Sequence, residues 1–183
     1  MDGNLCRNAE ASGLLDPECS DRTWTLDDLE ATRAFGADLA QQLPSGSILL
    51  LHGPLGAGKT SLVQGLALAL GIEEPITSPT FALAQHYPQG RPPLIHLDLY
   101  RLEQPAAADE IFLQEEEEAR ALGALLAVEW PERLSLELPE AWHLHLSHQG
   151  VGRQLRCQLY VRPWPSLEMF RRRNLTLLRH ELG

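Results

Sequence analysis

The sequence has little cysteine and no long apolar run. Its 183 residues include only Cys6, Cys19 and Cys157, an odd number without the spacing of a zinc site or a disulfide framework. No stretch approaches the roughly 20 apolar residues that a membrane-spanning helix requires. The first residues also lack the basic start and apolar core of a signal peptide. These absences exclude disulfide-rich and membrane-spanning classes, and we expect a cytoplasmic protein that makes no contact with a membrane.

Lysine is almost absent. The 15 basic residues are 14 arginines and a single lysine, Lys59, against 25 acidic residues, so the net charge is −10. A generally basic protein that coats nucleic acid is therefore excluded. The charge is uneven, because residues 162–183 contain five arginines and two glutamates.

The composition suits one globular domain with a different segment at each end. Residues 1–22 show little periodicity and are interpreted as a loose leader. Residues 23–161 combine apolar runs with helical patterns and are predicted to form the folded domain. Residues 162–183 are predicted to form a basic helical tail exposed to solvent, with a surface for tRNA or a partner as the alternative.

A helix is predicted at the start of this domain. Thr25 and Asp28 have the spacing of a capping box, and the helical pattern then extends to about Leu43. We expect Leu29, Leu39 and Leu43 to face the core.

Three short runs are apolar on both faces: SILLLHG, PLIHLDLYRL and ALLAVEW, at residues 47–53, 93–102 and 124–130. Helical patterns separate them, including one at residues 108–122 whose four consecutive glutamates are expected to be mostly solvated. Strands buried on both faces are typical of a parallel sheet with helices on each side. We therefore predict an α/β fold, a three-layer domain with a mostly parallel central sheet.

The most specific motif directly follows the first of these runs. GPLGAGKT, residues 53–60, fits the phosphate-binding pattern G-x-x-x-x-G-K-S/T and leads into an apolar helix. Its glycines let backbone N–H groups face phosphates, Lys59 can reach the β- and γ-phosphates, and the Thr60 hydroxyl can bind Mg²⁺. The motif predicts a nucleotide site of the P-loop NTPase type.

Such a site needs an acidic anchor for magnesium, usually at the carboxyl end of a neighbouring strand. Asp98 ends the run LIHLD, and Glu129 ends the run LLAVE. The residues directly before Glu129 are more uniformly apolar than those before Asp98. We therefore predict that Glu129 holds the metal and that Asp98 orients the attacking water or nucleophile.

The segment TSPTF, residues 77–81, lies between the P-loop helix and the strand of Asp98. Switch-like loops in P-loop proteins place a hydroxyl near the γ-phosphate from such a position. Thr80 or Ser78 is predicted to act there, and a simple turn around the proline is the alternative.

A transition-metal site is not predicted. His96 and Asp98 share a strand face, as do His143 and His145, but the sequence offers no third ligand for either pair.

Four motifs in this order, GPLGAGKT, SPTF, HLDLYRL and VEWPERL, resemble those of the TsaE (YjeE) family of bacterial ATPases. The resemblance extends from about Trp24 to Tyr160. It implies an ATPase that uses ATP and Mg²⁺ and supports threonylcarbamoyladenosine formation beside the tRNA anticodon, together with the partner proteins TsaD and TsaB. The family is not thought to transfer the threonylcarbamoyl group itself, so contact with tRNA would be indirect or through the complex.

The resemblance also implies roles for single residues. Lys59 corresponds to the phosphate contact, and Thr60 and Glu129 correspond to the Mg²⁺ ligands. Asp98 corresponds to an acid of hydrolysis. With Thr80 from the switch-like segment, Lys59 and Asp98 form the expected catalytic set.

Further cofactor contacts are expected around the loop. The resemblance places Trp130 beside the nucleotide and, more loosely, Leu29 and Gly152. The loop itself contributes Gly53, Pro54, Leu55, Gly56, Ala57, Gly58, Lys59, Thr60 and Ser61. Pro54 stands where many members of the family have Asp or Glu, which matters little if the backbone lines the phosphates.

A small-molecule kinase is the alternative enzyme, because such kinases are usually P-loop domains of about this size. A kinase usually has an arginine-rich lid that closes over the phosphates, and no such insertion is evident in the sequence. A nucleotide-gated binding module is a third class, which overlaps with the ATPase interpretation. The core motifs contain no obvious arginine finger, so we expect slow hydrolysis by the isolated chain.

Overall fold

A mixed sheet of seven strands organises the residues that the computed structural model describes, which are 21–79, 82–150 and 152–159. In chain order the strands are β1 (Asp21–Leu26), β2 (Ile48–His52), β3 (Ala84–Tyr87), β4 (Leu94–Asp98), β5 (Leu125–Glu129), β6 (Trp142–Gln149) and β7 (Gly152–Leu159). Their order across the sheet is β1-β7-β6-β2-β5-β4-β3. The strand β1 begins two residues before the predicted start of the folded domain. The rest of the predicted leader and the predicted basic tail lie outside the described residues.

The centre and the margins of the sheet differ in strand direction. The central strands β6, β2, β5 and β4 run parallel, whereas β7, β1 and β3 pair antiparallel. The prediction of a mostly parallel sheet is therefore correct for the centre only. The pairs β6–β7 and β3–β4 are joined by short connections, and a parallel neighbour would need a longer crossover.

Helices cover both faces of the sheet. They are α1 (Leu29–Ala40), α2 (Lys59–Ala69) and α3 (Pro105–Leu122), with a short 3₁₀ turn at Pro131–Arg133. Leu49 and Leu51 of β2 pack with α1 and α2, and Leu50 packs with α3 on the opposite face. Alternate residues of this one strand thus contribute to both layers of the core. Among the helices described, none is long and apolar enough to cross a membrane.

The start of α1 differs from the prediction. Asp28 is the N-cap, and its side chain accepts the N–H of the residue three positions later at 2.7 Å. Thr25 lies in β1, so the predicted capping box is wrong. Leu29, expected in the core, is 40% exposed because it belongs to the first turn, whereas Leu39 and Leu43 are buried as predicted.

The acidic run of α3 is also less uniform than expected. Glu117 and Glu118 are exposed, but Glu115 is buried and lies 2.6 Å from Nε2 of His86 on the edge strand β3. This contact joins α3 to β3, which explains why one member of the run leaves the solvent.

Candidate functional site

The P-loop connects β2 to α2 and is shaped by its glycines. Gly53 has a φ of +137°, and a Cβ added there would lie 2.2 Å from the carbonyl oxygen of Leu146 on β6. Gly58 precedes α2 with a φ of +102°. Residues with a Cβ adopt such angles only under strain. The glycines therefore let the loop pass tightly over β6 and turn into the helix, whose first N–H groups have no partner within the helix.

Lys59 is held inside the loop. Its Nζ donates hydrogen bonds to the carbonyl oxygens of Gly53 at 2.8 Å and Pro54 at 3.1 Å, and it lies 4.0 Å from the centre of the Trp130 ring. Burial lowers the pKa of Lys59, and nearby carboxylates, Glu129 foremost, oppose that shift. Pro54 contributes only its carbonyl oxygen to the contact with Lys59, so this contact does not depend on the Pro54 side chain.

The two predicted metal ligands meet at the start of α2. Thr60 Oγ1 donates a hydrogen bond to Glu129 Oε1 at 2.7 Å. Glu129 is only 3% exposed, and the same carboxylate oxygen lies 3.0 Å from Nε2 of the buried His96. Two neighbouring oxygen ligands of an octahedral Mg²⁺ are about 2.9 Å apart. The hydroxyl and the carboxylate are thus of the right chemistry and spacing for that ion.

Asp98 ends β4 directly beside Glu129, its register partner on β5. Its carboxylate accepts hydrogen bonds from the Ser78 hydroxyl and from the backbone N–H of Tyr100, the latter at 3.0 Å. The carboxyl ends of neighbouring parallel strands thus bring two acids to one edge of the sheet. Ser78, one of the two hydroxyls predicted near the γ-phosphate, contacts Asp98, whereas Thr80 lies outside the described residues.

These groups surround a cavity of about 320 Å³. Its wall combines the P-loop with the ends of three strands and consists of Leu55, Gly56, Gly58, Lys59, Thr60, Ser61, Ser78, Asp98, Tyr100, Glu129, Trp130 and Arg153. The cavity therefore joins two cations, two acids and the open end of a helix, a combination suited to a polyphosphate with a divalent metal.

Several predicted contacts lie outside this wall. Gly53 and Pro54 face Lys59 through their carbonyl groups, and Ala57 is buried within the loop. Leu29 is the exposed first residue of α1 and is not part of the wall. Gly152 opens β7, where an added Cβ would lie 2.7 Å from a carbonyl oxygen of β1. Its small size serves the packing of these two strands.

Arg153 lies in the cavity wall although the sequence analysis did not single it out. A Cβ on Gly58 would lie 2.7 Å from its Nε, so the guanidinium group covers the end of the P-loop. This Nε is buried and has no hydrogen-bond partner among the described residues. The sequence signal was an arginine directly after Gly152, but only the order of strands in the sheet brings it to the loop.

Tyr100 is the second residue of the wall that sequence reasoning missed. Its ring lies 4.8 Å from the ring of Trp130. Trp130 has a φ of +60°, which directs the chain out of β5 beside the cavity. The sequence could have indicated Tyr100 through its position two residues after Asp98, a predicted site residue at a strand end.

Comparison with known proteins gives one consistent family. The family model described as "Threonylcarbamoyl adenosine biosynthesis protein TsaE" matches residues 26–156. The protein named tRNA threonylcarbamoyladenosine biosynthesis protein TsaE from Synechocystis is 55% identical over 112 residues, which cover 60% of this chain and 69% of the relative. The protein of the same name from Mycobacterium tuberculosis is 43% identical over 138 residues, or 71% of this chain and 80% of the relative.

A solved structure is similar as well. The crystal structure of Bacillus subtilis YdiB superimposes with a TM-score of 0.61 at 25% sequence identity and covers 88% of this chain and 96% of that one. The similarity therefore extends over most of both chains.

Proposed function

The chain belongs to the TsaE family of threonylcarbamoyladenosine biosynthesis proteins, and from this we propose that it is a Mg²⁺-dependent ATPase serving that tRNA modification. One observation carries the proposal. Thr60 Oγ1 and Glu129 Oε1 lie 2.7 Å apart in a cavity that also contains Lys59 and the N-terminal end of α2.

ATP would bind with its phosphates along the P-loop. The unpaired N–H groups at the start of α2 and the ammonium of Lys59 supply donors and positive charge for the phosphate oxygens. The guanidinium of Arg153 faces the same end of the loop from β7. The chain itself thus offers two cations for the phosphates.

Thr60 and Glu129 would hold Mg²⁺. The ion would neutralise charge on the phosphates as hydrolysis proceeds. His96 fixes the Glu129 carboxylate from the side of β4, so the metal ligand is oriented by a buried partner.

Asp98 would orient the attacking water. Its carboxylate is only 2% exposed and is fixed by Ser78 and by the backbone N–H of Tyr100. A carboxylate held this way can accept a proton from water at a defined position. Thr80, in the segment beside Ser78, would assist near the γ-phosphate as a switch residue.

We further propose that hydrolysis is slow in the isolated chain and serves a complex with TsaD and TsaB. Ordering of a switch segment by ATP would favour assembly, and by thermodynamic reciprocity the assembled complex would hold ATP more firmly. Hydrolysis would then release the partners. Contact with tRNA would be made through the complex.

Phosphate release by the chain alone, with TsaD and TsaB, and with small phosphate acceptors tests this function. We expect slow release alone, faster release with the partners, and assembly that is stronger with ATP than with ADP. Phosphate transfer to a small acceptor would instead indicate a kinase. Equal rates together with assembly that does not depend on nucleotide would contradict the switch.

A further inference from the structure

Three histidines meet on one face of the sheet outside the nucleotide cavity. His52 is the last residue of β2, and His143 and His145 belong to β6, which runs parallel to β2. The register pairs His52 with His145, and residues two apart in a strand share a face, so His143 joins them there. His52 lies 91 residues before His143, which is why the sequence suggested no third ligand.

The three imidazole rings are close enough to share one ion. His52 Nε2 lies 3.0 Å from His143 Nδ1, and the rings of His52 and His145 stack with their centres 4.3 Å apart. One ring nitrogen from each histidine lies within 4.8 Å of the other two. Around a tetrahedral Zn²⁺ these nitrogens would be about 3.4 Å apart. To bind the ion, the rings must exchange the His52–His143 hydrogen bond for bonds to the metal and turn out of the His52–His145 stack, so that the three lone pairs meet at one point.

The second nitrogens of two rings face acceptors. His143 Nε2 lies 3.5 Å from the carbonyl oxygen of Leu138, and His52 Nδ1 lies 3.9 Å from the carboxylate of Glu132. Metal-bound histidines usually donate their other N–H to a carbonyl or carboxylate, which fixes the tautomer. With their protons on these second nitrogens, His52 Nε2 and His143 Nδ1 would each present a lone pair to an ion, in place of the hydrogen bond that joins them at 3.0 Å.

The chemistry of the three side chains sets the class of ion. Imidazole nitrogens prefer Zn²⁺, Co²⁺, Ni²⁺ or Cu²⁺ to Mg²⁺, which makes this cluster chemically unlike the oxygen ligands of the nucleotide cavity. Burial, with the neighbouring His145 and His143, also lowers the pKa of His52 to about 4.

We propose that His52, His143 and His145 bind a divalent transition-metal ion of the Zn²⁺ class, at a site separate from the nucleotide cavity. None of the three lines that cavity. The ion would link β2 to β6 at the point where the P-loop begins, since the residue after His52 is Gly53, whose carbonyl oxygen accepts from Lys59.

The test uses the full chain, reduced and freed of metal with a chelator. Calorimetric titration should show one equivalent of Zn²⁺ bound, and Co²⁺ should give the intense visible bands of a four-coordinate site. Thiolate-to-cobalt absorption should be absent, because the ligands are nitrogens and not Cys6, Cys19 or Cys157. Zn²⁺ should also raise the unfolding temperature, because it binds the folded chain.

Matched histidine variants locate the site. His52→Gln and His145→Gln should each lose the stoichiometric binding. His148→Gln, an exposed position on the same strand, should retain it. So should His86→Gln, which disrupts the other described group of possible ligands, His86 with Glu115 and Glu118.

Three results would overturn the proposal. They are the absence of saturable Zn²⁺ binding by the unaltered chain, binding that survives both His52→Gln and His145→Gln, and a cobalt spectrum dominated by thiolate absorption. Unfolding curves recorded in chelator identify variants that fold. If His145→Gln does not fold, His143→Gln replaces it in the same comparison.

Discussion

The two walls of the cavity beside the P-loop are built in different ways. One is a continuous stretch of the P-loop and the first turn of α2, whereas the other is assembled from Ser78, Asp98, Glu129 and Arg153 on separate segments. The continuous wall depends on backbone shape, with glycines at φ values that other residues avoid. The assembled wall depends on single side chains at strand ends. We therefore expect substitutions to distort the first wall and to remove one contact at a time from the second.

The largest effect is expected where both walls meet. Lys59→Ala should weaken ATP binding at least about 100-fold, because in the proposed site this side chain supplies charge-assisted hydrogen bonds to the phosphates. The fold should persist, as the alanine continues α2. Calorimetry with ATP measures the affinity, and circular dichroism controls for folding. Unchanged affinity would contradict the nucleotide site.

Glu129→Gln tests the assembled wall. The amide keeps the side-chain volume but lacks the charge of a metal ligand, so half-maximal hydrolysis should require about 10- to 100-fold more Mg²⁺. A magnesium titration of phosphate release measures this shift. An unaltered titration would transfer the metal role to Asp98.

Gly58→Ala tests the continuous wall. At a φ of +102°, the new Cβ should cost about 1–2 kcal/mol of unfolding free energy and displace Arg153, which it would approach to 2.7 Å. Urea unfolding measures the cost. Gly71→Ala is the control for backbone strain alone, because φ there is +75° and nothing lies within 4 Å of the added Cβ. Equal loss of unfolding free energy in both variants would show that backbone strain alone accounts for the cost and that displacing Arg153 adds nothing to it.

Arg153→Ala should lower ATP affinity about tenfold, by loss of one charge-assisted contact. Arg153→Lys should restore part of the affinity. Arg156→Ala is the matched control, since Arg156 lies on the same strand but not in the cavity wall. If the two alanine variants bind ATP equally well, the guanidinium of Arg153 does not contact the nucleotide.

The smallest effect is expected for removal of residues 1–20, which precede β1 in the sequence. Their composition predicts no change in unfolding temperature or in the rate of phosphate release. Thermal unfolding and the hydrolysis assay check both. A substantial loss of stability would show that this segment packs on the domain.

The part of the site that could be predicted from the sequence is the part whose geometry is local. Gly53, Gly58, Lys59 and Thr60 are fixed within one strand, loop and helix. Asp98 and Glu129 were accessible because carboxyl ends of neighbouring parallel strands meet at one edge of the sheet. The cap of α1 was missed because Thr25 lies within the strand β1, so the helix is capped by Asp28, which follows the strand.

Sequence by itself thus determined the P-loop, the two strand-end acids and the core strands, because short-range hydrogen bonding and apolar patterning specify them. Only the tertiary structure decided which distant residues join them. Arg153 reaches the loop, and His52 reaches His143 and His145, because β7 and β6 add to the sheet beside β2. Strand order and register are set by packing across the whole sheet, so no local pattern in the chain encodes these contacts.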